Sequence, residues 1–199
     1  MSRSSVCFFD LETKYSFDDI QPNYSTLRFD EKETLRSEIV LKMQMSTSCV
    51  IDSNGKIYFF DEGDEIKLIK ILDSYKTIIG HNILRFDYPV LNTATKMDVA
   101  ARYKSKTVDT LEKLRIATGK YISLDNLALS NKLDIQKTLK GSEAPTLWRN
   151  GEKQKVRNYC KNDVEILKAI YELGKRDGRI RCSITDNGKE QVKIVEINW

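Results

Sequence analysis

The chain changes its hydrophobic period about a third of the way along, and that change limits the folds open to it more than any other feature. Val6-Cys7-Phe8-Phe9-Asp10-Leu11-Glu12 is apolar at both parities until the acids begin, the pattern of a strand buried on both faces. Ile39 to Ile51 and Lys56 to Phe60 flank Asp52-Ser53-Asn54-Gly55, where Asn-Gly signals a tight hairpin. These three strands read as an antiparallel meander. The period then turns helical through Ile66, Ile69, Leu72 and Tyr75, Thr77-Ile78-Ile79-Gly80 returns to a short buried strand, and Thr107-Val108 supplies a last one. A helix leading into an apolar strand is a parallel crossover. The pattern therefore predicts an α/β domain whose mixed five-stranded sheet joins an antiparallel meander 1-2-3 to parallel strands 4-5.

Residues Thr13 to about Glu38 show no clean period and are polar with scattered aromatics, among them Tyr15, Phe17, Tyr24 and Phe29. A connection that long is functional or mobile. From Phe86 onward most of the chain reads as helix. Asp109-Thr-Leu-Glu112 has the spacing of a capping box, and Ser123 starts a helix over Leu124 to Leu129. Lys140 to Gly151, with Gly141 and Pro145, reads as loop. A long helix follows from about Glu152 to Gly174, apolar at Val156, Tyr159, Cys160, Ile166, Leu167 and Ile170. The tail, Arg181 to Trp199, reads as a C-terminal hairpin turned at Asp186-Asn187-Gly188 and alternating at Val192, Ile194 and Ile197. At 199 residues the chain holds one domain, residues 1–180, with 181–199 as its hairpin extension.

One histidine, His81, decides more than the totals do. Nucleophile triads use a histidine, zinc centres use several closely spaced Cys or His, and Cys7, Cys49, Cys160 and Cys182 are scattered without a C-x-x-C pair, which disfavours both. Metal ligands in such a chain are Asp and Glu, which suit Mg²⁺ or Mn²⁺. No run approaches the roughly 18 apolar residues of a membrane span, the first residues lack a signal-peptide core, and isolated cysteines fit reduced thiols. The expectation is a cytoplasmic protein with no membrane partner. The formal charge of +4 is uneven: residues 1–95 carry 11 Lys and Arg against 15 acids, and residues 96–181 carry 20 against 11. Such a basic block is the footprint of a nucleic-acid binder and equally of a lysine-rich solvated face.

Acids recur in three places. Asp10 and Glu12 lie two apart on a strand, so both leave the same face, where adjacent carboxylates repel unless a cation sits between them. Asp87 follows Gly80-His81-Asn82 after a short turn and opens a helix, which by itself reads as a helix cap. Tyr159 and Asp163 are four apart on the long helix and share a face, with Asp163 interrupting an apolar stripe. A buried acid there asks for a cation or a donor.

Taken together, Phe-Asp10-Leu-Glu12-Thr, His-Asn82-Ile-Leu-Arg-Phe-Asp87 and Tyr159-Cys-Lys-Asn-Asp163 resemble the three motifs of the DEDD (DnaQ-like, ribonuclease H-like) 3′–5′ exonucleases. Asn158 fills the position that is histidine in one branch and Tyr159 the position that is tyrosine in the other, so the chain resembles the DEDDy branch. Ile122-Ser-Leu-Asp-Asn-Leu-Ala128 and Trp148-Arg-Asn-Gly151 extend the likeness to YprB-type exonuclease domains, which often accompany helicases. The resemblance implies a ribonuclease H-like fold with helices on both faces of the sheet. It also implies two Mg²⁺ or Mn²⁺ ions on Asp10, Glu12, Asp87 and Asp163, with Tyr159 orienting water. The substrate implied is a 3′ end of single-stranded nucleic acid, DNA rather than RNA, releasing nucleoside 5′-monophosphates, with a helicase or polymerase as partner. Leu11, Thr13, Lys14, His81, Asn82, Arg85 and Phe86 beside the motifs, and Trp148 with Arg149, are candidates for nucleic-acid contact. Trp148 reads also as a loop pin, and His81 and Asn82 as turn formers. A noncatalytic nucleic-acid-binding module of the same fold is the alternative function.

Overall fold

A computed structural model describes residues 5–135, 139–186 and 188–199, so Asn187 of the expected hairpin turn lies outside the described residues. The main sheet has the order β3-β2-β1-β4-β5, with β1 (Val6–Thr13) at its centre. β2 (Met45–Asp52) runs antiparallel to β1 and to β3 (Ile57–Asp61). β4 (Thr77–Gly80) is parallel to β1, and β5 (Thr107–Asp109) is parallel to β4. This is the expected joining of a meander to a parallel pair.

The alternation of β1 divides the interior into two cores. Cys7, Phe9 and Leu11 face a core with Met45, Leu68, Leu72 and Tyr88, whereas Phe8 faces Cys49, Leu127, Val164 and Leu167. The first core is covered by α2 (Phe29–Lys42, after the single turn α1, Phe17–Ile20), α3 (Glu65–Asp73), α4 (Asp87–Thr95) and α5 (Val99–Tyr103). The second lies beneath α6 (Thr110–Thr118), α7 (Leu124–Ser130) and the long α9 (Lys153–Asp177), with α8 (Ala144–Arg149) on a small satellite core. Helices thus cover both faces of the sheet.

Three elements differ from the sequence reading, and the C-terminal hairpin is as expected. The aperiodic stretch after Thr13 is largely helical, and Ile39 to Lys42 end α2 rather than begin a strand; α2 buries only Ile39 and Val40, in its last turns, so it carries no apolar stripe. The loop expected over Lys140 to Gly151 contains α8, started by Pro145 in its first turn. The long helix passes Gly174 and ends at Gly178 in the left-handed conformation, because Gly174 is a contact point: a β-carbon there would collide with the Trp199 indole. In the hairpin of β6 (Arg179–Asp186) and β7 (Lys189–Glu196), the inner face comes from Ile180, Cys182, Ile184 and Val195. Val192 and Ile194 pair with Ser183 and Arg181 on the outer face, 63% and 58% exposed. All four cysteines are buried free thiols. Among the described residues, no helix is long and apolar enough to cross a membrane.

Candidate active site

Side chains two apart on β1 share a face, so Asp10 and Glu12 continue the Phe8 face toward α9. An oxygen of each lies within 4.8 Å of the other and of Cys160 Sγ on α9. Three residues on, one helical turn away, Asp163 is 6% exposed on the same side of the helix. Asp87 comes from the opposite direction. It occupies the first position of α4, after Phe86 at the cap position, and its Oδ1 accepts the Leu11 N–H at 3.0 Å. The cap reading for Asp87 is therefore corrected: its carboxyl is held against the β1 backbone between Asp10 and Glu12. The four acids all line one cleft of about 780 Å³.

The turn that delivers Asp87 is fixed from below by Asp109. Asp109 caps α6 as its spacing predicts, accepting the Leu111 and Glu112 N–H groups, but it also accepts Asn82 N–H at 2.8 Å and Leu84 N–H at 3.0 Å. Asn82 has φ of 69°, a left-handed conformation that asparagine tolerates better than most residues. Gly80 is required because the Ile83 side chain folds onto its α-carbon. His81 donates from Nε2 to the Ile122 carbonyl at 2.8 Å, and its Nδ1 lies 2.9 Å from the Thr110 hydroxyl, so the ring ties the turn to its neighbours.

Electrostatics concentrate negative charge here. Burial pushes the Asp87 carboxyl up to about 8 despite the Leu11 bond. Burial also raises the Tyr159 hydroxyl, and the charges of Asp163, Glu12 and Asp10 raise it further, so it stays protonated and shares a hydrogen bond with Asp163. Tyr159 lies beneath the segment before α8, where a β-carbon on Gly141 would stand 3.2 Å from its hydroxyl. Neither Gly141 nor the cross-chain role of Asp109 was evident in the sequence, since both depend on tertiary approach. The Cys160 thiol is likewise pushed up by burial and by Asp10 and Glu12, which leaves carboxylate oxygens as the donors. Such a hard-oxygen set, lining one cleft, fits Mg²⁺ or Mn²⁺.

The other candidate residues separate into two groups. Leu11, Thr13, His81, Asn82, Arg85 and Phe86 line the cleft, although the Leu11 side chain belongs mainly to the core and the Thr13 hydroxyl donates to the Tyr15 carbonyl at 2.8 Å. Arg85 bonds Glu33 and Tyr121. Lys14, Trp148 and Arg149 are not on that wall. Lys14 pairs with Glu62, and Arg149 with Asp19. Trp148 is 3% exposed, packed with Ala144, Val156 and Tyr159, bonded to Glu62 and covered by Lys153 at 4.8 Å. Its ring offers no face to a base, and the loop-pin reading is the one the packing supports.

Comparison with known proteins agrees with this architecture. Among solved structures, the family B DNA polymerase of the hyperthermophilic archaeon Pyrobaculum calidifontis is similar over 85% of this chain, with a TM-score of 0.58 and 16% identity. That likeness is one of fold, and this chain spans only 24% of the polymerase chain. No curated protein matches the sequence. A family model described as the RNase H superfamily matches residues 7–174, which takes in β1 through most of α9 and all four acids. The RNase H-like nuclease fold, whose nucleases use divalent metals, supports a nuclease acting on nucleic acid. The chain belongs to the RNase H superfamily.

Proposed function

We propose that the protein is a DEDDy-type, YprB-like 3′–5′ exonuclease that removes nucleoside 5′-monophosphates from single-stranded nucleic acid, DNA in preference to RNA. The observation that carries this reading is that Asp10, Glu12, Asp87 and Asp163, from three separate elements, line one cleft. These four carboxylates would hold two divalent ions, Mg²⁺ or Mn²⁺, which would supply activation of water and stabilisation of the leaving 3′ oxygen. The chain's own groups do the rest. Leu11 N–H fixes one oxygen of Asp87 and so sets the direction of its carboxyl. Tyr159, whose hydroxyl stays protonated, acts as a hydrogen-bond donor that orients the nucleophile rather than as a base. His81 and Asp109 hold the turn that aims Asp87. Four buried thiols without disulfides suit a reducing cytoplasm, and a helicase or polymerase partner would supply unpaired ends.

The test is a matched panel of single-stranded DNA, duplex DNA and RNA, labelled at either end, with Mg²⁺ or Mn²⁺. A ladder shortening from the 3′ end of single strands is expected, closed circles should survive, and Asp10→Ala should lose at least about 100-fold in rate. Absence of laddering from pure protein with either ion refutes the reading in favour of a binding module, and cleavage of circles makes it an endonuclease.

A further inference from the structure

A direct connection between antiparallel neighbours needs only a few residues, yet residues 14–44 intervene between β1 and β2. They build α1 and α2, and α2 becomes a wall of the cleft that the four acids also line. Phe17, Phe29, Lys32, Glu33 and Arg36 all line that cleft. Phe29, Lys32, Glu33 and Arg36 recur at three- and four-residue steps, so they share one face of α2.

The wall is anchored. Leu35 and Ile39 pack on the first core, Thr93 on α4 donates to the Leu41 carbonyl at 2.7 Å, and Arg85 pairs with Glu33. What it presents to the cleft is an exposed aromatic ring and a cation set over two rings. Phe29 is 69% exposed, which forgoes the burial that favours an aromatic ring inside a fold. The Arg36 guanidinium stands 5.0 Å from the Phe17 ring and 5.9 Å from the Phe86 ring, and among the described residues no carboxylate pairs with it. The other cations nearby are engaged: Arg85 by Glu33, and Lys32 by the Ser25 carbonyl at 2.7 Å.

We infer that the α2 face is a polynucleotide-binding site, in which Phe29 stacks a base and Arg36, levelled by Phe17 and Phe86, holds a phosphate of the strand leading away from the acids. Its ligand class is a single strand, because stacking on an exposed ring requires an unpaired base, and it accepts DNA or RNA because every base has a π-face. The site extends the nuclease reading and rests on it for the direction of the strand. Phe29 and Arg36 are specificity-determining residues that act on substrate length.

The experiment compares a dodecanucleotide with a dinucleotide, which is too short to fill both the metal site and the wall. In Phe29→Ala and Arg36→Gln proteins the ratio of kcat/KM for the long over the short substrate should fall roughly tenfold, carried by KM. Binding of a labelled dodecanucleotide in Ca²⁺, followed by fluorescence anisotropy, should weaken by a similar factor, and Arg36→Gln should lower the salt slope by about one. Arg36→Lys should recover most of the loss. A ratio and an affinity within twofold of the parent overturn the inference, and so does a lysine that recovers nothing, which would assign the loss to disturbed α1–α2 packing. If the parent cleaves neither substrate the nuclease reading fails alone, since the anisotropy arm still decides whether α2 holds the strand.

Discussion

Asp87 sits 2% exposed with one oxygen on the Leu11 N–H, and burial lifts its carboxyl to about 8, far above the usual value near 4. Because the folded-state value is the higher one, the folded protein keeps a proton that the unfolded chain releases. The associated stability is complete below about pH 4 and is lost as the pH rises through about 8. Without divalent metal the protein should therefore melt at lower temperature at pH 8 than at pH 5.5. Asp87→Asn, which keeps an acceptor for Leu11 and removes the charge, should reverse part of that loss. We expect its metal-free form at pH 8 to exceed the parent by at least about 1 kcal/mol, roughly 2–4 °C in Tm, while nuclease activity disappears. Equal melting temperatures at pH 8 would mean that Asp87 ionises without cost and that water reaches it. A carboxyl that harms the metal-free fold yet is fixed by a backbone donor fits a ligand better than a cap.

At the scale of elements, the turn before α4 depends on one side chain from another strand end. Asp109 accepts four backbone N–H groups, two from the start of α6 and two, Asn82 and Leu84, from the turn. Asp109→Ala removes a helix cap, worth about 1 kcal/mol, and leaves part-buried donors unmet at about 1–3 kcal/mol each. We expect a total loss of about 3–7 kcal/mol by urea titration with an unchanged m-value, and about half that for Asp109→Asn, which keeps one acceptor oxygen. A loss near about 1 kcal/mol would show that only the cap matters. The same residue shows what was legible in the chain. Its capping role is local, written in Asp109-Thr-Leu-Glu112, but its reach to Asn82 comes from β5 lying beside β4, which no spacing encodes. The five strands were legible for the same local reason: period and turn chemistry reside in neighbouring residues. α2 was not, because its burial is confined to Ile39 and Val40 and the exposed Phe29 breaks any stripe. Trp148 could be read two ways until its neighbours were known, and the alternation at Val192 and Ile194 left the hairpin's inner face open because that side is chosen by what packs against it.

For the whole molecule, the acids that converge on the cleft come from β1, α4 and α9, the centre of the sheet and a helix on either side of it. In the unfolded chain Asp10, Asp87 and Asp163 are far apart in sequence, so a divalent ion that needs them together binds the folded form almost alone. Binding then adds RT ln(1 + [L]/Kd) to stability, about 2.7 kcal/mol at a hundredfold excess over Kd. For a domain of this size that corresponds to roughly 5–10 °C in Tm. Mn²⁺ should give this shift in the parent and little in Asp10→Ala, measured by calorimetry at fixed ionic strength. Because ligation displaces the proton that burial keeps on Asp87, the shift should grow between pH 6 and pH 8, opposing the metal-free decline over the same range. Charge follows the same coupling. Counting two divalent ions against the four acids raises the formal charge from +4 to +8, on a chain whose residues 96–181 already carry the basic excess. The metal thus steadies the three elements that form the cleft and makes that cleft less repellent to phosphate. A parent protein whose Tm ignores Mn²⁺ at both pH values would leave the four carboxyls as an acidic cluster without a cation, and the proposed chemistry without its ligands.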